Sequence, residues 1–127
     1  MNIELTDKEF RRLLDLVYIG NWILNSTREK DRFEDYDILQ EKLFALCAKN
    51  GMNALISRWQ GHIFPSSAYE NGGIHEAIAD YEDAVFFDIL AEELARRDLG
   101  CLDSEPADYT ELNARTVSYT HLTLPTI

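Results

Sequence analysis

Proline is scarce in this chain: Pro65, Pro106 and Pro125 are the only three in 127 residues. Long proline-free stretches favour helices. Cysteine is equally rare, at Cys47 and Cys101, and neither belongs to a CxxC pair. A disulfide framework and a zinc ribbon are therefore excluded, and a reducing compartment suits both residues. Cys47 falls on an apolar helical stripe and reads as a small core residue. Cys101 follows a glycine at a helix end, which points to exposure. There is no long apolar run. The most hydrophobic stretch, Leu13 to Leu24, is broken by Asp15, Gly20 and Asn21 and is too short to span a bilayer. The N-terminus, MNIELTDKEF, lacks the basic start and apolar centre of a signal peptide, so the expected location is the cytoplasm, with no membrane partner. Basic residues are missing from one part of the chain. From Ile74 onward twelve acids stand against three bases, whereas residues 1–73 are nearly balanced. Direct binding of nucleic acid through this C-terminal part is disfavoured, because like charges repel and no basic footprint exists.

What is present is the composition of a globular chain. Hydrophobic residues make up 46% of it, enough to build a core. Residues 1–115 have the length of one domain, which can bury roughly two thirds of its unfolded surface without metal or disulfide staples.

The first helix announces itself in Leu5-Thr6-Asp7-Lys8-Glu9, a capping box with Thr6 as N-cap and Glu9 at N3. Phe10, Leu13, Leu14, Val17 and Tyr18 follow at helical spacing. With Leu16, Ile19, Trp22, Ile23 and Leu24 added, the second half is apolar nearly all round, which predicts a central helix covered on several sides. Gly20 within it marks a close helix crossing or a bend. Residues 25–32 read as a polar connection, and a second helix is expected over 33–49 with a stripe of Tyr36, Leu39, Leu43, Leu46 and Cys47, stopped at Gly51. A short helix is expected over 52–59, then a long loop over 60–73. From Ile74 two stripes appear: Ile74, Ala77, Ile78 and Tyr81, then Ala84, Phe87, Leu90, Ala91 and Leu94. They are out of phase, so a helix to about Ala79, a break over 80–83 and a further helix to about Asp98 are expected, with Gly100 as its end. The predicted fold is all-α, a compact single domain of four or five helices over residues 1–115.

The densest polar cluster is His75, Glu76, Asp80, Glu82 and Asp83. Adjacent positions on a helix point about 100° apart, and neither HExxH nor a calcium-loop spacing is present, so a capped, solvated helix start is the simpler reading. His62 and His75 are the only histidines before the tail. Cys–His catalysis would need one of them beside Cys47 or Cys101, and no local signature supports it. Ser66 and Ser67 lack a nucleophile-elbow context and suit a turn or a helix cap. Gly72-Gly73 is not a phosphate loop. The aromatic residues at helical spacing read as core. No catalytic, cofactor or metal residue is assigned.

Two resemblances bear on the chain. GGIHEAIADYEDAVFFDILAEELARRDLG, with LTDKEFRRLLDLVYIGNWILN, resembles a group of small acidic helical bacterial hypothetical proteins from metagenomes, which share a Y-[DE]-[DE]-x-x-F-[FW]-[DE]-x-L helix ending in A-x-R-D. That resemblance covers much of residues 5–100 and implies no activity. Separately, Val117 to Thr126, VSYTHLTLPT, resembles the translation of a transposase sequencing adapter. It implies that residues 116–127 are an adapter-derived, non-native tail and that the native chain is interrupted near Arg115.

The functional expectation is a cytoplasmic protein acting by protein–protein contact through its acidic C-terminal helix. The candidate face is Glu82, Val85, Asp88, Ile89, Glu92 and Glu93, with Val85 and Ile89 exposed among the acids. It would dock a basic protein or a second copy of itself. Two alternatives follow from the same residues. One is an acidic inhibitor that mimics nucleic acid. The other is a small enzyme or metal protein using His62, His75 and nearby carboxylates.

Overall fold

The first helix, α1, spans Asp7–Asn25, and in this computed structural model, which describes residues 1–100 and 109–123, it starts as its sequence dictates. The Thr6 hydroxyl accepts the Glu9 backbone N–H at 3.1 Å while the Glu9 carboxylate accepts from the Thr6 backbone N–H at 3.3 Å. The two groups satisfy helix N-terminal donors reciprocally. Helix α2 spans Glu34–Ala45 and ends in a 3-10 turn at Leu46–Ala48. A further 3-10 turn over Asn53–Leu55 leads into strand β1 (Ile56–Trp59), which pairs antiparallel with β2 (His62–Pro65). A single helical turn, α3 (Ser67–Tyr69), and a π-type turn over Glu70–Ile74 run into α4 (His75–Asp98). Helix α5 covers Tyr109–Thr123.

The chain is thus predominantly helical but not strictly all-α. The short helix expected over 52–59 and the loop expected over 60–73 are instead a β-hairpin followed by helical turns. Its register pairs Trp59 with His62 across a two-residue turn, Gln60-Gly61. Both turn residues have positive φ, +49° and +79°, as a type I′ turn requires. In four residues a helical and an alternating spacing cannot be told apart, and Leu55, Ile56 and Trp59 also suit one side of a helical turn. Ser66 caps the turn that follows: its hydroxyl accepts the Tyr69 N–H at 3.2 Å and donates to the Ala54 carbonyl at 2.6 Å.

The chain divides into two units, Met1–Glu76 and Ala77–Ile127. In the first, α1 packs on α2 and α2 packs on β2. Its core is Phe10, Leu14 and Tyr18 from α1, Phe44 and Cys47 from α2 and its turn, Ile56, Tyr69 and Ile74. Leu14 is 0% exposed, whereas Val17 is only half-buried. The expectation that the second half of α1 is covered on several sides is corrected: Leu16 and Ile23 lie open to solvent. Gly20 does not mark a close helix crossing, for a Cβ there would meet nothing within 4 Å. The α2 stripe is also corrected. Phe44 and Cys47 are buried, while Tyr36, Leu39 and Leu46 are exposed, because the face turned to α1 carries Asp37, Gln40 and Phe44.

In the second unit α4 continues without the expected break over 80–83. No glycine or proline interrupts the sequence from Ile74 to Leu99. The two out-of-phase stripes are reconciled because burial is confined to the helix ends: Ile78 near the start, Ala91 and Ala95 near the end, and no buried residue from Ala79 to Leu90. Gly100, at φ +71°, ends the helix. Leu112 of α5 is buried, and the Tyr119 hydroxyl donates to Asp98. Helix α5 continues past Arg115 into Thr116–Thr123, where β-branched residues favour helix poorly; propagation from an existing helix costs less than nucleation. Cys101 lies outside the described residues. No helix among the described residues is long and apolar enough to cross a membrane.

Candidate functional site

The face singled out on α4 lies in its unburied middle. Glu82, Asp88, Glu92 and Glu93 are exposed, Ile89 is 56% exposed, and Val85 is half-buried rather than open. Two neighbours extend the strip, Phe86, which lies about 100° from the stripe of Phe87, and Tyr81. Tyr81 is 61% exposed and Phe86 58%. Tyr81, Val85 and Ile89 stand four residues apart in a row, and Phe86 is three residues from Ile89, so the four are neighbours on the helix surface. The stripe of Ile74, Ala77, Ile78 and Tyr81 reads as one buried face, but burial along it stops one turn before Tyr81, at Ile78. The Phe86 ring leans on Phe87 edge-to-face with centroids 5.4 Å apart.

Acids flank this apolar strip. Arg96 pairs with Glu92 one turn away at 3.0 Å, and Arg97 reaches Asp98 at 3.3 Å. Among the described residues Glu82, Asp83, Asp88 and Glu93 take no ion pair, so their charge is free to act outward.

The two histidines go to different partners. His75 Nε2 lies 2.7 Å from the Tyr18 hydroxyl, and its ring packs edge-on against Trp22 at 4.8 Å. Burial, then the nearby Glu70 carboxylate, push the Tyr18 phenol up to about 12. At neutral pH it is therefore a hydroxyl that donates to His75 or to Glu70. Deeper in, the Tyr69 hydroxyl donates to Asp15 at 2.9 Å, and Asp15 also takes Arg11 at 2.6 Å. Burial and the Asp15 carboxylate raise the Tyr69 phenol further still. The Cys47 thiol, pushed up by burial, is a core group. Among the described residues no three His, Cys, Asp or Glu side chains gather as a metal site, so His75, Glu76, Asp80, Glu82 and Asp83 do not converge.

The first unit also holds a cleft of about 550 Å³ that the sequence did not disclose. Tyr18, Asn21 and Trp22 come to it from α1, Asp37, Gln40 and Glu41 from α2, and His62, Ile63 and Phe64 from β2. Its floor is a buried amide network. Asn21 donates to Asp37 at 3.0 Å and Gln40 at 3.1 Å, while Asn25 donates to Asn21 at 2.7 Å and accepts the Phe33 N–H at 2.8 Å. Arg32 grips Asp37 with two hydrogen bonds of 2.9 and 2.8 Å and donates a third to the Asn25 carbonyl. The Arg32 guanidinium, followed by the Asn21 amide, holds the Asp37 carboxyl below the usual carboxylate range. Glu41 accepts the Ile63 N–H at 3.0 Å and faces His62 Nδ1 at 3.2 Å. Those bonds, the Ile63 one foremost, lower its carboxyl too.

Comparison with protein families, with curated proteins and with solved structures finds no match to this chain.

Proposed function

We propose that this protein works by docking a basic partner protein on the middle of α4. The observation that carries the reading is an apolar strip, with Tyr81, Phe86 and Ile89 exposed and Val85 half-buried among them, on a helix segment with five acids and no base between Glu82 and Glu93. Exposed aromatic residues within one charge field suit a partner segment that is basic on one side and apolar on the other. A second copy of the chain fits less well, because the same acidic faces would oppose each other. A pure mimic of nucleic acid would need the charge but not the aromatic strip. Electrostatics would mainly speed encounter, and the apolar contacts would hold the complex.

The test uses three labelled helical peptides and fluorescence anisotropy: one of Lys and Leu, one of Lys and Ser with equal charge, and one of Glu and Leu. The Lys/Leu peptide should bind best at low salt. Phe86→Ala with Ile89→Ala should weaken it by about tenfold or more, as expected for truncating central anchors. Glu92→Lys with Glu93→Lys should remove most of the salt dependence. Equal binding of the Lys/Ser peptide, indifferent to Phe86 and Ile89, would leave only a charged surface and overturn the reading. Residues 116–127 are, on this account, an adapter-derived addition that plays no part in docking.

A further inference from the structure

We infer that the cleft between α1, α2 and β2 is a binding site for a small organic cation, an ammonium or amidinium group carried on a compact apolar body. Its volume of about 550 Å³ lies within the range of small-molecule pockets. The rings of Tyr18, Trp22 and Phe64 line it, and aromatic rings attract cations through their quadrupole.

The charges around it decide the sign of the ligand. Arg32 is committed to Asp37 and to the Asn25 carbonyl, so this cation and this carboxylate cancel. Glu41 remains. Its partner His62 is exposed, so water screens that contact. The Ile63 N–H fixes one Glu41 oxygen in place and keeps the group ionised. The cleft therefore presents the Glu41 carboxylate beside aromatic rings. An anion would meet Glu41 and find the Arg32 guanidinium already taken. A neutral ligand would gain nothing from the Glu41 charge, whereas a cation would.

The amide floor supports the same reading. Asn21 and Asn25 are buried and bonded on both sides, and no described buried side-chain polar atom lacks a partner. The floor is held by its own hydrogen bonds, so a ligand would meet a preformed wall rather than order a loose one, which lowers the cost of binding.

The experiment compares three probes of one size: benzamidinium, benzamide and benzoate. It uses the full chain with Trp59→Phe, which removes the exposed hairpin tryptophan and leaves Trp22 as the reporter. Benzamidinium should change Trp22 emission saturably, and benzamide should bind about tenfold more weakly, the scale of a partly exposed cation–π and carboxylate contact. Benzoate should not bind. Glu41→Gln should lower benzamidinium affinity by a similar factor and leave benzamide unchanged. Glu92→Lys with Glu93→Lys should leave the Trp22 response intact, which separates this site from the α4 face. Benzoate binding as tightly as benzamidinium, or benzamide matching it, would overturn the inference. So would the absence of saturation by benzamidinium up to about 10 mM, the weak end of measurable affinity, in a chain whose circular dichroism is intact. The charge series on the Trp59→Phe chain decides the matter even if Glu41→Gln fails to fold.

Discussion

Replacing Asn25 by alanine should be among the most damaging polar substitutions in this protein. Asn25 is 1% exposed at the last position of α1. Its side chain donates to Asn21 Oδ1 at 2.7 Å and to the Phe33 carbonyl at 3.1 Å, and it accepts the Phe33 N–H at 2.8 Å. It thus ties the end of α1 to the start of α2 across the connecting segment. Each such bond contributes about 1 kcal/mol net, and a buried partner left unsatisfied costs about 1–3 kcal/mol. Phe33 lies close enough to solvent for water to replace part of what is lost. The expected total is about 2–3 kcal/mol, or a fall in Tm of roughly 10–20 °C at the usual scaling for about 100 residues. Thermal and urea denaturation followed by circular dichroism would measure it. Asn71→Ala, at an exposed position without a side-chain hydrogen bond, serves as the control and should change stability by less than about 0.5 kcal/mol. An Asn25→Ala protein within about 0.5 kcal/mol of the parent would refute the claim that the amide network orders this unit.

Four further outcomes are expected. Leu14→Ala should cost about 2–5 kcal/mol in the same denaturation assay, since the side chain is wholly enclosed. Gly20→Ala should stabilise by about 0.5–1 kcal/mol, because the position is an exposed helix interior with open space for a methyl group. Asp37 gives a pH signature. Its carboxyl sits below the unfolded value of about 3.9, so its contribution is present above that pH and is lost as pH falls through the lower folded value; Asp37→Asn should remove that part of the acid sensitivity in denaturation curves taken across the acid range. Deleting Val117–Ile127 should shift stability by less than about 1 kcal/mol, and a larger loss in calorimetry would count against an adapter origin of the tail.

The parts of the fold that were legible in the sequence rest on local chemistry. The Thr6–Glu9 box and the Gly100 stop act within one helical turn, and the structure shows both. The burial of Leu14 and Cys47 followed from helical spacing. The hairpin was not legible because two four-residue strands carry too few residues to reveal a period, and Gln60 at a positive φ is not the Asn or Asp that marks such turns. The amide floor was missed for a different reason. Asn21 and Asn25 continue the buried line of Leu14 and Tyr18 at the same spacing, but polar residues on a core stripe read as interruptions until their partners on α2 and at Phe33 are known. The cleft depends on those long-range pairings and could not be assembled from spacing alone. On α4 the acids were legible, whereas the exposure of Tyr81 and Phe86 depended on where burial stops along a continuous helix.

The most direct test of the account is a residue-resolved footprint of the Lys/Leu peptide on the full chain, by amide cross-peak shifts in a titration at low salt. Shifts should concentrate from Tyr81 to Glu93 and disappear in the Phe86→Ala/Ile89→Ala protein. Shifts centred on α1 and α2 instead, or none at a peptide concentration that saturates anisotropy, would contradict docking on α4.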